Sequence, residues 1–153
     1  MLWGKPKEFS APDQSFSLIL PKDWNAEVRG DTAIFQARKG IGTLRITAWR
    51  TSGEPGGLEG FLARQEAKFS SPAESERKIL ATERINMKDR KGLFRVSLAE
   101  EEGDPFIVTL YLLGGGSTVV MATYVVPGGA FGTPEGKAES KIVTDMLLRM
   151  SLR

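Results

Sequence analysis

The sequence predicts an α+β protein. The expected architecture is an α/β/α sandwich, a mostly antiparallel sheet of six to eight strands with a helix on each face. Three observations lead there. Runs of strand character follow one another through short turns, which is the connectivity of antiparallel pairing. Two of those runs, 106–113 and 118–126, are apolar at nearly every position, so both faces of the sheet need cover. Two segments of helical periodicity, near 58–70 and 134–150, lie far apart in the chain and can cover the sheet from opposite sides. The 153 residues, 41% hydrophobic and 26% charged, suffice for one core and contain no repeat or linker. Residues 1–153 are therefore expected to form one domain, with 1–14 as a lead-in arm.

The elements follow in order. Residues 1–14 are polar and interrupted by Pro6 and Pro12. Phe16, Leu18 and Leu20 then alternate with Ser17 and Ile19 in a strand that Pro21 ends, with Trp24 at the turn. Residues 28–37 read as two short strand pieces about Gly30-Asp31. After a connection at 38–42, the strand 43–50 places Leu44, Ile46 and Ala48 on one face. Thr43, Arg45, Thr47 and Trp49 share the other. Beyond turn material at 52–57 the period changes, with Leu58, Phe61, Leu62, Gln65 and Phe69 at helical spacing and Pro72 closing the element. Strand character returns at 78–87, and the charged turn 88–92 leads to a strand at 93–100. The acidic turn from Glu100 to Asp104 leads to 106–113, and Gly114, Gly115 and Gly116 separate that run from 118–126. The last helix has Thr133 as N-cap acceptor, Pro134 in its first turn and Glu135 at the positive end of its dipole. Its apolar stripe is Ala138, Ile142, Val143, Met146, Leu147 and Met150.

Three of these features together resemble the PsbP-like fold, named for an extrinsic subunit of photosystem II. They are the opening from Phe16 to Trp24, with its alternating strand, Pro21 and closing Trp; the order strand–helix–four strands–helix; and the terminal Leu147-Leu148-Arg149-Met150-Ser151-Leu152. The resemblance spans 15–152 in pattern, and its one specific motif is the opening stretch. It implies a scaffold shared by photosystem subunits, a Ran-GTPase-binding factor and many bacterial proteins. It implies no shared catalytic motif, so no residue roles carry over.

The side-chain inventory excludes much chemistry. Cysteine and histidine are both absent, which removes thiol catalysis, disulfides, His-based triads and the usual Cys/His zinc sites. The 21 basic and 19 acidic residues nearly balance, and no aromatic interleaves the basic turns at Arg38, Lys39, Lys88, Arg90 and Lys91, so nucleic acid is not an expected partner. Gly53, Gly56, Gly57 and Gly60 lie where a phosphate loop would, but Glu54 and Pro55 break the dinucleotide pattern. Gly136-Lys137 lacks the following Ser/Thr of a Walker loop, because Ala138 stands there. Glu100, Glu101, Glu102 and Asp104 lack the alternation and central glycine of a calcium loop and read as a solvated hairpin. No cofactor and no metal are expected. The apolar stretch 106–126 is broken by its glycines and Ser117, so no membrane helix is expected. Nothing after Met1 resembles a secretory signal, which makes the cytoplasm the expected compartment.

What remains is recognition. A sheet face bearing Arg45, Thr47 and Trp49, joined by Arg95 and Ser97 if their strands neighbour, combines a large aromatic with planar donors, as protein interfaces do. The glycine-rich loop with Gly128, Gly129 and Gly132 is expected beside it as an adaptable rim. Trp24 reads as core or as structural at the turn after Pro21, and Trp3 as docked or available to a partner. The expected function is thus a non-enzymatic binding or accessory protein that engages another protein. The alternative is a carboxylate-dependent hydrolase with a pocket between helix and sheet, for which Glu66 and Glu83 are the conceivable pair.

Overall fold

The computed structural model describes residues 7–50, 60, 61, 63, 64, 67, 78–115 and 117–152. Among them ten strands run in chain order. They are β1 (Lys7–Ser10), β2 (Phe16–Leu20), β3 (Trp24–Arg29), β4 (Thr32–Ala37), β5 (Thr43–Arg50), β6 (Lys78–Asn86), β7 (Lys91–Glu101), β8 (Asp104–Gly115), β9 (Thr118–Pro127) and β10 (Ser151–Leu152). A short helix, Gly128–Phe131, and the C-terminal helix, Pro134–Arg149, lie between β9 and β10. Gly60, Phe61, Ala63, Arg64 and Ala67 are also helical.

Seven strands form the main sheet in the order β3-β4-β5-β9-β8-β7-β6, every neighbour antiparallel. Two local meanders, β3-β4-β5 and β6-β7-β8-β9, meet where β5 pairs with β9, Thr43 opposite Val125 and Arg50 opposite Thr118. The α+β class and the antiparallel sheet agree with the sequence. The structure adds a second, three-stranded sheet in the order β1-β2-β10, with Phe9 opposite Leu18 and Ser151 opposite Ser17. Part of the expected lead-in arm is therefore strand. Trp24 is buried in the core directly after the turn that Asp23 makes at φ 68°, and it opens β3.

The core lies on one face of the main sheet. Leu44, Ile46 and Tyr124 are buried there, clustered with Phe16, Leu18 and Leu20 of β2 and with Val143, Met146 and Leu147 of the C-terminal helix. That helix begins as the sequence implies, with Thr133 Oγ1 accepting from the Gly136 N–H at 3.1 Å and Pro134 at its start. Its buried line runs through Gly136, Glu139, Val143, Met146 and Leu147. Ala138 and Ile142, expected on the apolar stripe, are exposed, and a carboxylate takes the inward position instead. The other face of the sheet is buried at Leu110, Leu112 and Leu93. Phe61, itself buried, stands there 6.1 Å from Trp49, ring to ring. The rest of the helix expected at 58–70 lies outside the described residues.

Candidate functional site

The pairing registers place the expected anchors on one surface but not in one cluster. Arg45 is opposite Thr123, Thr123 opposite Leu110, and Leu110 opposite Arg95. The two arginines thus share a row and a face, three strand spacings or roughly 14 Å apart. Their environments differ. Arg45 is exposed, whereas Arg95 is buried and donates from Nε to Thr82 Oγ1 of β6 at 3.3 Å. Ser97 is buried nearby on β7. The Thr47 hydroxyl lies 3.1 Å from that of Thr32 in an internal hydrogen bond. Trp49 is half-buried against Phe61.

The glycine-rich segment is partly helical and lies toward the Arg45 end of the row, away from Trp49. Gly128 opens the short helix and Gly132 caps it. Trp49 pairs with Val119, and the strand from Val119 to Gly128 spans roughly 30 Å. The segment thus flanks the Thr43 end of β5, not the Trp49 end.

Among the described residues the main sheet ends in two edge strands, β3 and the longer β6. β6 has nine residues and pairs with β7 on one side; among the described residues no strand pairs with its other side. All of β6 except Ile85 is exposed, and Ile79 and Leu80 keep 51% and 48% of their surface in solvent. The register shifts between Ile79 and Ala81, a bulge that turns the strand at its apolar end. Arg95 holds the middle of this strand from beneath through Thr82. A separate shallow groove of about 300 Å³ runs between β2 and the C-terminal helix, with Ile19 and Ile142 exposed at its rim.

Sequence reasoning passed over a buried polar centre. Glu139 is 8% exposed, and its carboxylate accepts from the Tyr124 hydroxyl, the Gly42 N–H and the Ile41 N–H. The signal in the sequence was the helical line Gly136–Val143–Leu147, which passes through it. These bonds join helix, sheet and the β4–β5 turn, and give Glu139 a structural task.

Glu83 is exposed on β6, and Glu66 lies outside the described residues. Among the described residues no three Asp or Glu side chains are grouped closely enough to hold a metal ion. The acidic turn between β7 and β8 is tight, with Glu102 at φ 52° and Gly103 at φ 85°. Among the described residues no helix is long and apolar enough to cross a membrane.

No protein-family model matches the sequence, and a search of curated proteins gives no match. Solved structures do match. The solution structure of cyanobacterial PsbP from Synechocystis aligns over 100% of this chain and 95% of its own, with a TM-score of 0.71 at 6% identity. The Ran-binding protein Mog1p of Saccharomyces cerevisiae aligns over 97% of this chain and 96% of its own, with a TM-score of 0.62 at 9% identity. A crystal structure from Bacteroides thetaiotaomicron covers 99% of this chain with a TM-score of 0.65 at 21% identity. This chain spans about half of that protein, 49% of its length. The fold is PsbP-like. At these identities the likeness concerns the fold alone.

Proposed function

We propose that this protein is a non-catalytic binding domain, and that an extended segment of another protein docks on it by adding a strand to the main sheet at β6. The observation that carries this reading is the open edge. A strand of this length with one neighbour among the described residues presents a row of backbone N–H and C=O groups that another peptide backbone satisfies in register. Ile79 and Leu80 offer apolar contact for the partner's side chains, and Lys78, Glu83 and Arg84 help keep the free edge soluble. In this reading Arg95 is a positioning residue that fixes β6 through Thr82, while Arg45, Thr47 and Trp49 belong to the far half of the same face. The likeness to Mog1p, a protein named for binding Ran, is compatible with a protein partner on this scaffold. We also infer that the helical residues around Phe61 belong to a helix covering the second face, which would complete the α/β/α sandwich. The hydrolase alternative has less support, because Glu83 sits exposed on the edge strand β6 and not in a pocket between helix and sheet.

The test uses photo-crosslinking from position 80 in the native cell, followed by hydrogen exchange on the purified complex. The expected result is an identified protein crosslinked at position 80, protection of β6 amides in its presence, and loss of binding in Leu80→Lys. Ile142→Glu, in the groove beside β2, should bind normally. Binding lost in Ile142→Glu but kept in Leu80→Lys, or β6 amides left unprotected, would overturn the reading.

A further inference from the structure

A pocket of about 230 Å³ opens at the other end of the main sheet, away from β6. The loop after β1, the β3–β4 hairpin and β5 enclose it. Its interior is apolar, with Phe16, Ala33 and Ile46 all at least nine-tenths buried. Two carboxylates, Asp13 and Asp31, also line it. Asp13 is held in place, since its Oδ1 accepts from the Ser15 N–H at 3.0 Å and from Ser15 Oγ at 2.6 Å, and Ser15 is 1% exposed. Asp31 Oδ1 accepts more weakly, from Thr32 Oγ1 at 3.4 Å.

The charge around this pocket is unequal. Arg50 acts on Asp13 from nearby and donates to Thr118 Oγ1 at 3.0 Å, while the described lining itself carries two carboxylates and no Lys or Arg. The hydrogen bonds from Ser15, with Arg50 adding to them, hold the Asp13 carboxyl below the ordinary carboxylate range. Asp13 is therefore a standing anion at neutral pH and a poor proton donor, which suits binding better than acid catalysis.

We propose that this pocket binds a small organic cation, a primary ammonium on an apolar body. An apolar cavity of about 150 Å³ takes benzene, so 230 Å³ has room for about nine non-hydrogen atoms. The apolar body would occupy the space over Ala33 and Ile46, and the ammonium would donate charge-assisted hydrogen bonds to Asp13 and Asp31. A carboxylate or phosphate ligand would meet the wrong charge, and a neutral ligand would leave the anions unused.

The probe is 2-phenylethylamine, titrated into isotope-labelled protein while the methyl resonances of Ala33 and Ile46 are followed. Saturable shifts of both are expected, with 2-phenylethanol binding at least tenfold more weakly and phenylacetate not at all. Asp31→Asn and Asp13→Asn should each weaken the amine about fivefold or more. If Asp13→Asn does not fold, Asp31→Asn alone decides that point. Ala48→Phe, which fills the pocket from β5, should abolish the shifts. Alcohol binding equal to amine binding, no saturable shift, or amine binding that survives Ala48→Phe would each overturn the proposal. None of these measurements depends on β6 or on a protein partner.

Discussion

The carboxylate of Glu139 and the hydroxyl of Tyr124 meet at 2.5 Å in the interior, with Tyr124 donating to Oε1. The same carboxylate accepts from the Gly42 N–H at 2.8 Å and the Ile41 N–H at 3.0 Å. One side chain on the C-terminal helix thus satisfies donors from β9 and from the β4–β5 turn. A buried anion is tolerated here because these three donors converge on it, and it becomes costly once they are lost.

Glu139→Gln replaces an oxygen with an NH₂ group that cannot accept from these N–H donors. The substitution is expected to lower the unfolding free energy by about 2–3 kcal/mol, measured by urea denaturation. Tyr124→Phe removes one donor and keeps the ring, so a loss of about 1–2 kcal/mol is expected. The reverse ranking would show that the hydroxyl, not the carboxylate, organises the centre.

Both tyrosines of the chain are interior, Tyr111 at 2% and Tyr124 at 1% exposure. Burial pushes both phenols above their ordinary value of 10.0, and for Tyr124 the Glu139 carboxylate pushes further. The folded state therefore favours the neutral phenol. That stability is fully present below pH 10.0 and is lost as pH rises from there toward the folded-state values. Tyrosinate absorbance should rise only together with loss of the circular dichroism signal, above pH 10.0. A tyrosinate step near pH 10.0 with the dichroism intact would mean that one phenol is open to solvent.

Gly136 and Gly129 should behave oppositely. A Cβ at Gly136 would stand 2.1 Å from the Ala130 carbonyl oxygen, where the C-terminal helix closes on the short helix before it. Gly136→Ala must force the two helices apart, at a cost of about 2 kcal/mol or more. A Cβ at Gly129 meets nothing within 4 Å, so Gly129→Ala should be neutral or stabilising by about 0.5–1 kcal/mol. Equal losses from the two, in thermal denaturation, would rule out close approach as the reason for Gly136.

Arg90 is a cation that the fold satisfies only in part. It lies buried between β6 and β7 with Nε and Nη2 on Asp89 at 3.3 and 3.2 Å, while Nη1 is buried without a hydrogen-bond partner. Replacing such a group with an apolar side chain of similar reach removes a desolvated charge. Arg90→Met should therefore leave stability unchanged or raise it by about 1 kcal/mol. A clear loss in denaturation would show that the guanidinium contributes more than its Asp89 contact.

The strands from β4 to β9 are legible because each carries its own evidence. β5 alternates Leu44 and Ile46 against Arg45 and Thr47, and β8 and β9 are apolar through and through. β1 and β10 escape notice because Lys7–Ser10 and Ser151–Leu152 are too short to show a period, and β10 pairs with a strand, β2, that is remote in the chain. The same limit governs sites. Arg95 belongs to the row of Arg45, yet only the strand order reveals that β9 and β8 lie between them. Glu139 looks like surface because it is charged, and its donors come from Tyr124 and the turn at Ile41 and Gly42. The pocket at Asp13 and Asp31 arises where a loop of the small sheet meets a hairpin of the large one, which no local pattern encodes.

The seam between β5 and β9 governs how quickly the chain can reach this structure. Every other pairing in the main sheet joins consecutive strands, but Arg50 and Thr118 are 68 residues apart. Closing so long a loop costs about 2 kcal/mol more in chain entropy than closing a five-residue turn. The two meanders can therefore form early as local units, and their docking becomes the slow step, on the millisecond-to-second scale of sheets dominated by distant pairings. A slip of one residue at that seam would turn Leu44 and Ile46 away from the core, so these two side chains act during folding as the check on correct docking.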